Sequence, residues 1–224
     1  MTKVELILQG ISDGDTIGGP FAMASLVAKA LADNPFDFDA LDKAYRDYHE
    51  SGSFDSGPTF ERVHELMAKG YQRNDAVERT HKLFNKSTAG CNPMHRFMVV
   101  AGLDVPYELL DSLARKDAKM THQDPVAGLM SSITVRIIRK VLNRYSLPDA
   151  ITYVTCKLAT SERKILQTTP SPSGFAPAVL NAAMKFSQDY DRGLIRAVDY
   201  AGSHNYCPPI VGAIIRCTTS NLSE

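Results

Sequence analysis

The sequence predicts an all-α fold in a single domain, a compact bundle of many helices. Apolar residues recur at three- and four-residue steps through most of the chain, the spacing that lines one face of a helix. Pro, Asp and Ser stand repeatedly just ahead of those stretches, where they start helices. No stretch alternates in period two between hairpin turns, and no internal repeat is present.

The elements follow in order. Gly19 and Pro20 precede an Ala/Leu-rich run, with Gly19 expected as N-cap and Pro20 as the first helical residue, where its missing N–H costs nothing. Residues 38–48 and 60–67 carry apolar side chains at helical steps, and another helix is expected over 74–84. Asp104 ahead of VPYELLDSLARK reads as an N-cap, with Leu109, Leu110 and Leu113 on one side. Thr121 with Asp124, and Ser146 with Asp149, form weakened capping boxes, Asp standing where Glu or Gln is usual. The first opens a long helix through Leu129, Ile133, Ile137 and Val141; the second is expected to run to about residue 160. Residues 133–138 would also suit a strand, but their segment is too long and lacks turn residues. Residues 168–174 (TTPSPSG) form the clearest loop, Pro177 starts a helix after it, and a last helix follows Cys207-Pro208-Pro209.

Composition narrows the function. The 224 residues hold 25 Lys+Arg against 25 Asp+Glu, a balance that argues against a nucleic-acid-wrapping surface but leaves room for a local anion pocket. No window approaches the ~18 consecutive apolar residues that span a bilayer, and the short apolar run at the start leads into Gly and Asp, not a cleavage site. Cys91, Cys156, Cys207 and Cys217 show no C-x-x-C spacing, so neither a zinc site nor a disulfide framework is expected. A cytoplasmic protein is the expectation, with no nucleic-acid or membrane partner; oligomeric state is not readable.

Five polar, glycine-containing segments interrupt the helices: residues 10–20 (GISDGDTIGGP), 52–59 (GSFDSGPT), 89–96 (AGCNPMHR), 120–125 (MTHQDP) and 201–206 (AGSHNY). Taken in order, they resemble the motifs of the ADP-ribosylglycohydrolase family: Gly-Asp-Ala-x-Gly-x-Pro, Thr-Asp-Asp-Thr, Asn-Gly-x-x-Met-Arg, Thr-His, and Gly-Gly-Asp-x-Asp-Thr before a small-residue helix. The resemblance spans residues 10–212 and implies a helical bundle with these segments at one mouth. Members are usually longer, which implies that peripheral helices are missing here.

The departures bear on chemistry. The resemblance implies paired aspartates holding two divalent ions that bind ribose hydroxyls and activate water. Here Gly57 and Pro58 stand where the adjacent aspartates belong, with Thr59 kept, and Ser203, Asn205 and Tyr206 stand where the C-terminal Asp-x-Asp-Thr belongs. The acidic residue due just beyond Pro20 is replaced by Phe21, Ala22, Met23 and Ala24. Hard dications need oxygen ligands that these residues do not supply, so neither metal nor another cofactor is expected.

What remains is a set of candidates, each with a structural role beside the functional one. Asp15, at the family's Gly-Asp position, is either catalytic or a loop carboxylate capping the helix at Pro20. Asp55 is a displaced general base or a turn residue in Asp-Ser-Gly-Pro. His122 suits proton transfer near neutral pH, or braces a helix junction. Arg96 can hold a phosphate or carboxylate in bidentate fashion, or belong to a structural salt bridge. Cys207, at a helix start, is a candidate nucleophile with His204 or His122 as base, or a buried inert thiol. Thr59, Ser203, His204, Asn205 and Tyr206 complete a substrate-binding set. The expectation is a metal-independent enzyme with hydrolase- or lyase-like acid–base chemistry on a small polar substrate, nucleotide, ribosyl or guanidino. The alternative is a non-catalytic binding, regulatory or structural relative.

Overall fold

A computed structural model describes residues 1–167 and 174–220. Those residues form thirteen α-helices and two 3₁₀ turns, with no strand among them beyond an isolated bridge between Gly90 and Phe175. The helices are α1 (Lys3–Gly14), α2 (Gly19–Ala30), α3 (Phe38–Glu50), α4 (Pro58–Ala68), α5 (Arg73–Leu83), α6 (Asn92–Phe97), α7 (Leu110–Lys119), α8 (Pro125–Leu142), α9 (Leu147–Thr155), α10 (Thr160–Leu166), α11 (Ala176–Phe186), α12 (Gly193–Ala201) and α13 (Pro208–Ser220). None is long and apolar enough to cross a membrane. The loop expected at 168–174 lies, apart from Gly174, outside the described residues.

The all-α prediction holds, and the boundaries correct it in four places. The N-cap of α2 is Gly18, whose φ of 112° suits glycine, so Gly19 already lies inside the helix. Asp104 caps nothing: a 3₁₀ turn at Tyr107–Leu109 follows Pro106 and α7 begins at Leu110. Asp124 alone caps α8, accepting from the Val126 N–H at 2.9 Å, because the Thr121 hydroxyl is engaged with Arg96 and His122. Ser146 does cap α9, accepting from Asp149 N–H, but that helix stops at Thr155 and α10 restarts at Thr160.

At the centre lies α8, with Met130, Ile133, Ile137, Ile138 and Val141 fully buried. It packs on α6, α7, α9, α11 and α13. The most extensive helix pair is α1 with α13, where the backbones nearly touch. A Cβ at Gly212 would sit 2.1 Å from the Gly10 carbonyl oxygen, and one at Gly14 2.1 Å from the Pro208 carbonyl oxygen. Only glycine permits that approach. It draws the α1–α2 turn against the loop that precedes α13.

Candidate functional site

All five polar segments meet at one end of the bundle, around two adjoining cavities that share Ser56, Gly57, Pro58, Cys91, Asn92 and Tyr206. The larger, about 330 Å³, adds Thr59, Phe84, His122 and Phe175 to its walls. The smaller, about 180 Å³, adds Ile17, Asp55, His95, His204 and Asn205. A bond from the Ala176 N–H to the Ala89 carbonyl (2.8 Å) ties the segment before α6 to the start of α11 and closes one wall.

Asn205 organises the smaller lobe. Its Oδ1 accepts from the Thr16 backbone N–H (3.1 Å) and from the Thr16 hydroxyl (3.0 Å). A backbone N–H can only donate, so this contact fixes which end of the amide is oxygen. The amide NH₂ therefore faces Asp15 and Asp55, donating to a carboxylate oxygen of each. Asp15 also accepts backbone N–H groups from Ile17 (3.1 Å), Gly18 (2.6 Å) and Phe21 (2.7 Å), so it caps the entry to α2. Asp55 is exposed at the rim in a left-handed conformation, φ 48°, rare for a side chain larger than Gly, Asn or Asp. Its Cβ occupies the space that a Cβ on Gly19 would need, at 2.5 Å.

His122 is buried against the larger lobe, its Nδ1 2.8 Å from the Thr121 hydroxyl oxygen. That oxygen also accepts from Arg96 Nη1 (3.0 Å); with the hydroxyl hydrogen turned to Nδ1, the ring proton is assigned to Nε2. The Nε2 side lies along Gly90, where a Cβ would come within 3.2 Å of it. Burial, and then the charge of Arg96, push the His122 pKa well below its usual value. Burial thus favours the neutral ring, whose Nδ1 is already engaged by the Thr121 hydroxyl.

Arg96 does not reach the cleft. It is fully buried, with Nε on both Asp117 oxygens (3.2 and 3.0 Å), Nη1 on Asn92 Oδ1 (2.7 Å) and Thr121, and Nη2 on the Asp117 carbonyl (2.9 Å). Tyr45 donates its hydroxyl to Asp117 at 2.6 Å and lays its ring under the guanidinium. Burial alone would lower the Arg96 pKa, yet the Asp117 carboxylate holds it above the ordinary value. Of the two roles considered from sequence, Arg96 fills the structural one.

Cys207 is also turned inward. It is buried, its Sγ points to the Ala197 carbonyl at 3.8 Å, and burial pushes its thiol up to about 12. The thiolate a nucleophile needs is scarce there. Ser203 is exposed and lines neither cavity. His204 stacks on Tyr206 (centroids 4.8 Å apart, 18° between planes), and both line the smaller lobe. Thr59 lines the larger.

Sequence reasoning passed over Asn92, on the walls of both lobes, and His95, which donates from Nε2 to the Tyr206 carbonyl at 2.6 Å. The Asn92-Pro93 pair is a helix-start signal that would have flagged α6. Phe84, Phe175 and the counter-charge Asp117 carried no motif at all.

The donor set does not suit the divalent pair that the resemblance implies. Gly57 and Pro58 offer no side-chain ligand, and the two carboxylates present are held by N–H donors, which cannot coordinate a cation. Among the described residues no three His, Cys, Asp or Glu side chains are grouped to hold a metal.

Comparison with known proteins agrees with the family resemblance. A solved structure titled "ADP-ribosylglycohydrolase-related protein complex" is similar to this chain with a TM-score of 0.72 and 20% identity, over 96% of this chain and 88% of that one. No curated protein matches the sequence. The model of the ADP-ribosylglycohydrolase family matches residues 15–217. The chain belongs to the ADP-ribosylglycohydrolase family.

Proposed function

We propose that this chain binds a small polar molecule in the two-lobed cleft without a metal, and that any bond it breaks is broken by acid–base chemistry. The observation that carries this is the Asn205 amide, oriented by Thr16 and donating to Asp15 and Asp55 together. An NH₂ group stands between the carboxylates and already balances part of their charge. Asp55 is the group best suited to move a proton: it is exposed at the rim, lines the smaller lobe and is held by the Asn205 amide. His122 Nε2–H serves to orient the ligand. A non-catalytic binding protein is the second reading, favoured by the use of Asp15 as a cap and of His122 as a neutral hydrogen-bonding group.

The test is a thermal-shift screen of small polar compounds with and without magnesium or manganese, followed by turnover assays on each hit. Turnover lost in Asp55→Asn, with binding kept, supports the enzyme. Binding without turnover supports the second reading. A saturable metal-dependent stabilisation of the wild type would overturn metal independence.

A further inference from the structure

The charge of the cleft decides which compounds it admits. Among the described residues no Lys or Arg lines either lobe. The Arg96 guanidinium is buried and committed to Asp117. Against this stand two carboxylates, Asp55 on the wall and Asp15 joined to it through Asn205. Burial lowers the pKa of both His122 and His95, so neither brings a positive charge at neutral pH, and His204, the third histidine on the walls, is stacked on the Tyr206 ring. The amino end of α4, which reaches the cleft at Pro58 and Thr59, already carries Glu61 in its first turn, and that carboxylate accepts from Ser53 (2.6 Å) and from Ser56. A phosphate entering here meets fixed negative charge and no guanidinium or ammonium to pair with it.

The larger lobe supplies something else. Phe84, Phe175 and Tyr206 present rings to it, and His122 Nε2–H is a directed polar group in the wall. A pocket of rings with few polar groups suits a flat molecule, and the faces of those rings favour positive over negative charge.

We propose that the cleft takes an unphosphorylated planar ring compound, uncharged or positively charged, its ring against Phe84, Phe175 and Tyr206 and its hydroxyl or amino groups toward Asp55. This rests on the preceding reading that the cleft binds a small molecule. The test uses two matched series measured by titration calorimetry at low and high salt: adenosine, AMP and ADP-ribose, then nicotinamide riboside and its mononucleotide. The nucleosides should bind, and adding phosphate should weaken binding by about tenfold or more. Raising the salt should narrow the gap by screening the repulsion. Asp55→Asn, a residue that tolerates positive φ, should narrow it too and should weaken nicotinamide riboside more than adenosine. Tighter binding of the phosphorylated members, or a gap that widens with salt, overturns this inference while leaving a small-molecule cleft in place. Failure of both series alongside hits in the broader screen overturns the ring-compound class alone. Failure of both series and of the screen overturns the two readings together.

Discussion

Replacing Asp117 by Asn keeps the shape of the side chain and removes its charge. In the wild type, Arg96 and Asp117 are both fully buried and paired at 3.0 Å, with Tyr45, Asn92 and Thr121 completing the network. Arg96 remains charged in the variant, because nothing near neutral pH deprotonates a guanidinium. Breaking a buried pair by removing one partner costs about 3–5 kcal/mol, most of it the uncompensated charge left behind. For 224 residues the unfolding entropy is roughly 0.5 kcal/mol per degree, so the loss becomes a fall in Tm of roughly 6–11 °C. Differential scanning calorimetry at pH 7 reads this directly. The double variant Arg96→Met/Asp117→Leu removes both charges and should recover part of the loss. Melting of Asp117→Asn within about 2 °C of the wild type, or a double variant no more stable than the single one, would refute the view that this pair is held by mutual compensation.

Other measurements probe other parts of the molecule. Burial lowers the His64 pKa to about 4, outweighing its bond to the Phe60 carbonyl, so it is neutral when folded and protonated when unfolded below its ordinary value of 6.5. The unfolded state then binds more protons, so stability should fall as pH drops from 6.5 toward 4, by roughly 3 kcal/mol for this residue; His64→Phe should flatten that pH dependence, and an unchanged slope would contradict it. Gly212→Ala places a methyl 2.1 Å from the Gly10 carbonyl and should cost about 3 kcal/mol or more, measured by urea unfolding. Asn205→Asp sets three carboxylates together and should lower Tm, with partial recovery in millimolar magnesium that the wild type does not show. Cys156 is exposed while Cys91, Cys207 and Cys217 are buried, so Ellman's reagent should label one thiol fast in the folded protein and all four after denaturation.

The helices were legible where one face is apolar and a cap precedes it, as in α8 and α9. They were not legible where helices are short and lie at the site. Residues 10–14 looked like a polar glycine segment because Gly10 and Gly14 are small for the sake of α13, not for a turn. Residues 89–96 looked like a loop because α6 is only six residues long and exists to aim Asn92, His95 and Arg96. Motif order anticipated Asp55, His122, His204, Asn205 and Tyr206 on the cleft walls, whereas Asp15 lies behind them, joined through Asn205. What spacing along the chain could not convey was direction. Arg96 and Cys207 stand beside cleft residues in sequence yet point into the core, where Asp117 and the Ala197 carbonyl receive them. Such an orientation is set by partners contributed from distant helices.

The glycine contact between α1 and α13 also dictates an order of assembly. Gly10 and Gly212 lie some two hundred positions apart, so this pairing is among the most non-local in the chain and carries a large loop-closure entropy. During synthesis α1 can meet α2 and the 3₁₀ turn at Met98–Gly102 early, but its most extensive partner, α13, follows some two hundred residues later. Until then α1, which carries the fully buried Ile7 and Ile11, lacks the largest of the surfaces it packs against. The Asn205 bridge to Asp15 cannot form earlier either, since Asn205 lies just ahead of α13. A nascent chain halted within α12 therefore holds four of the five cleft segments without the residue that joins them.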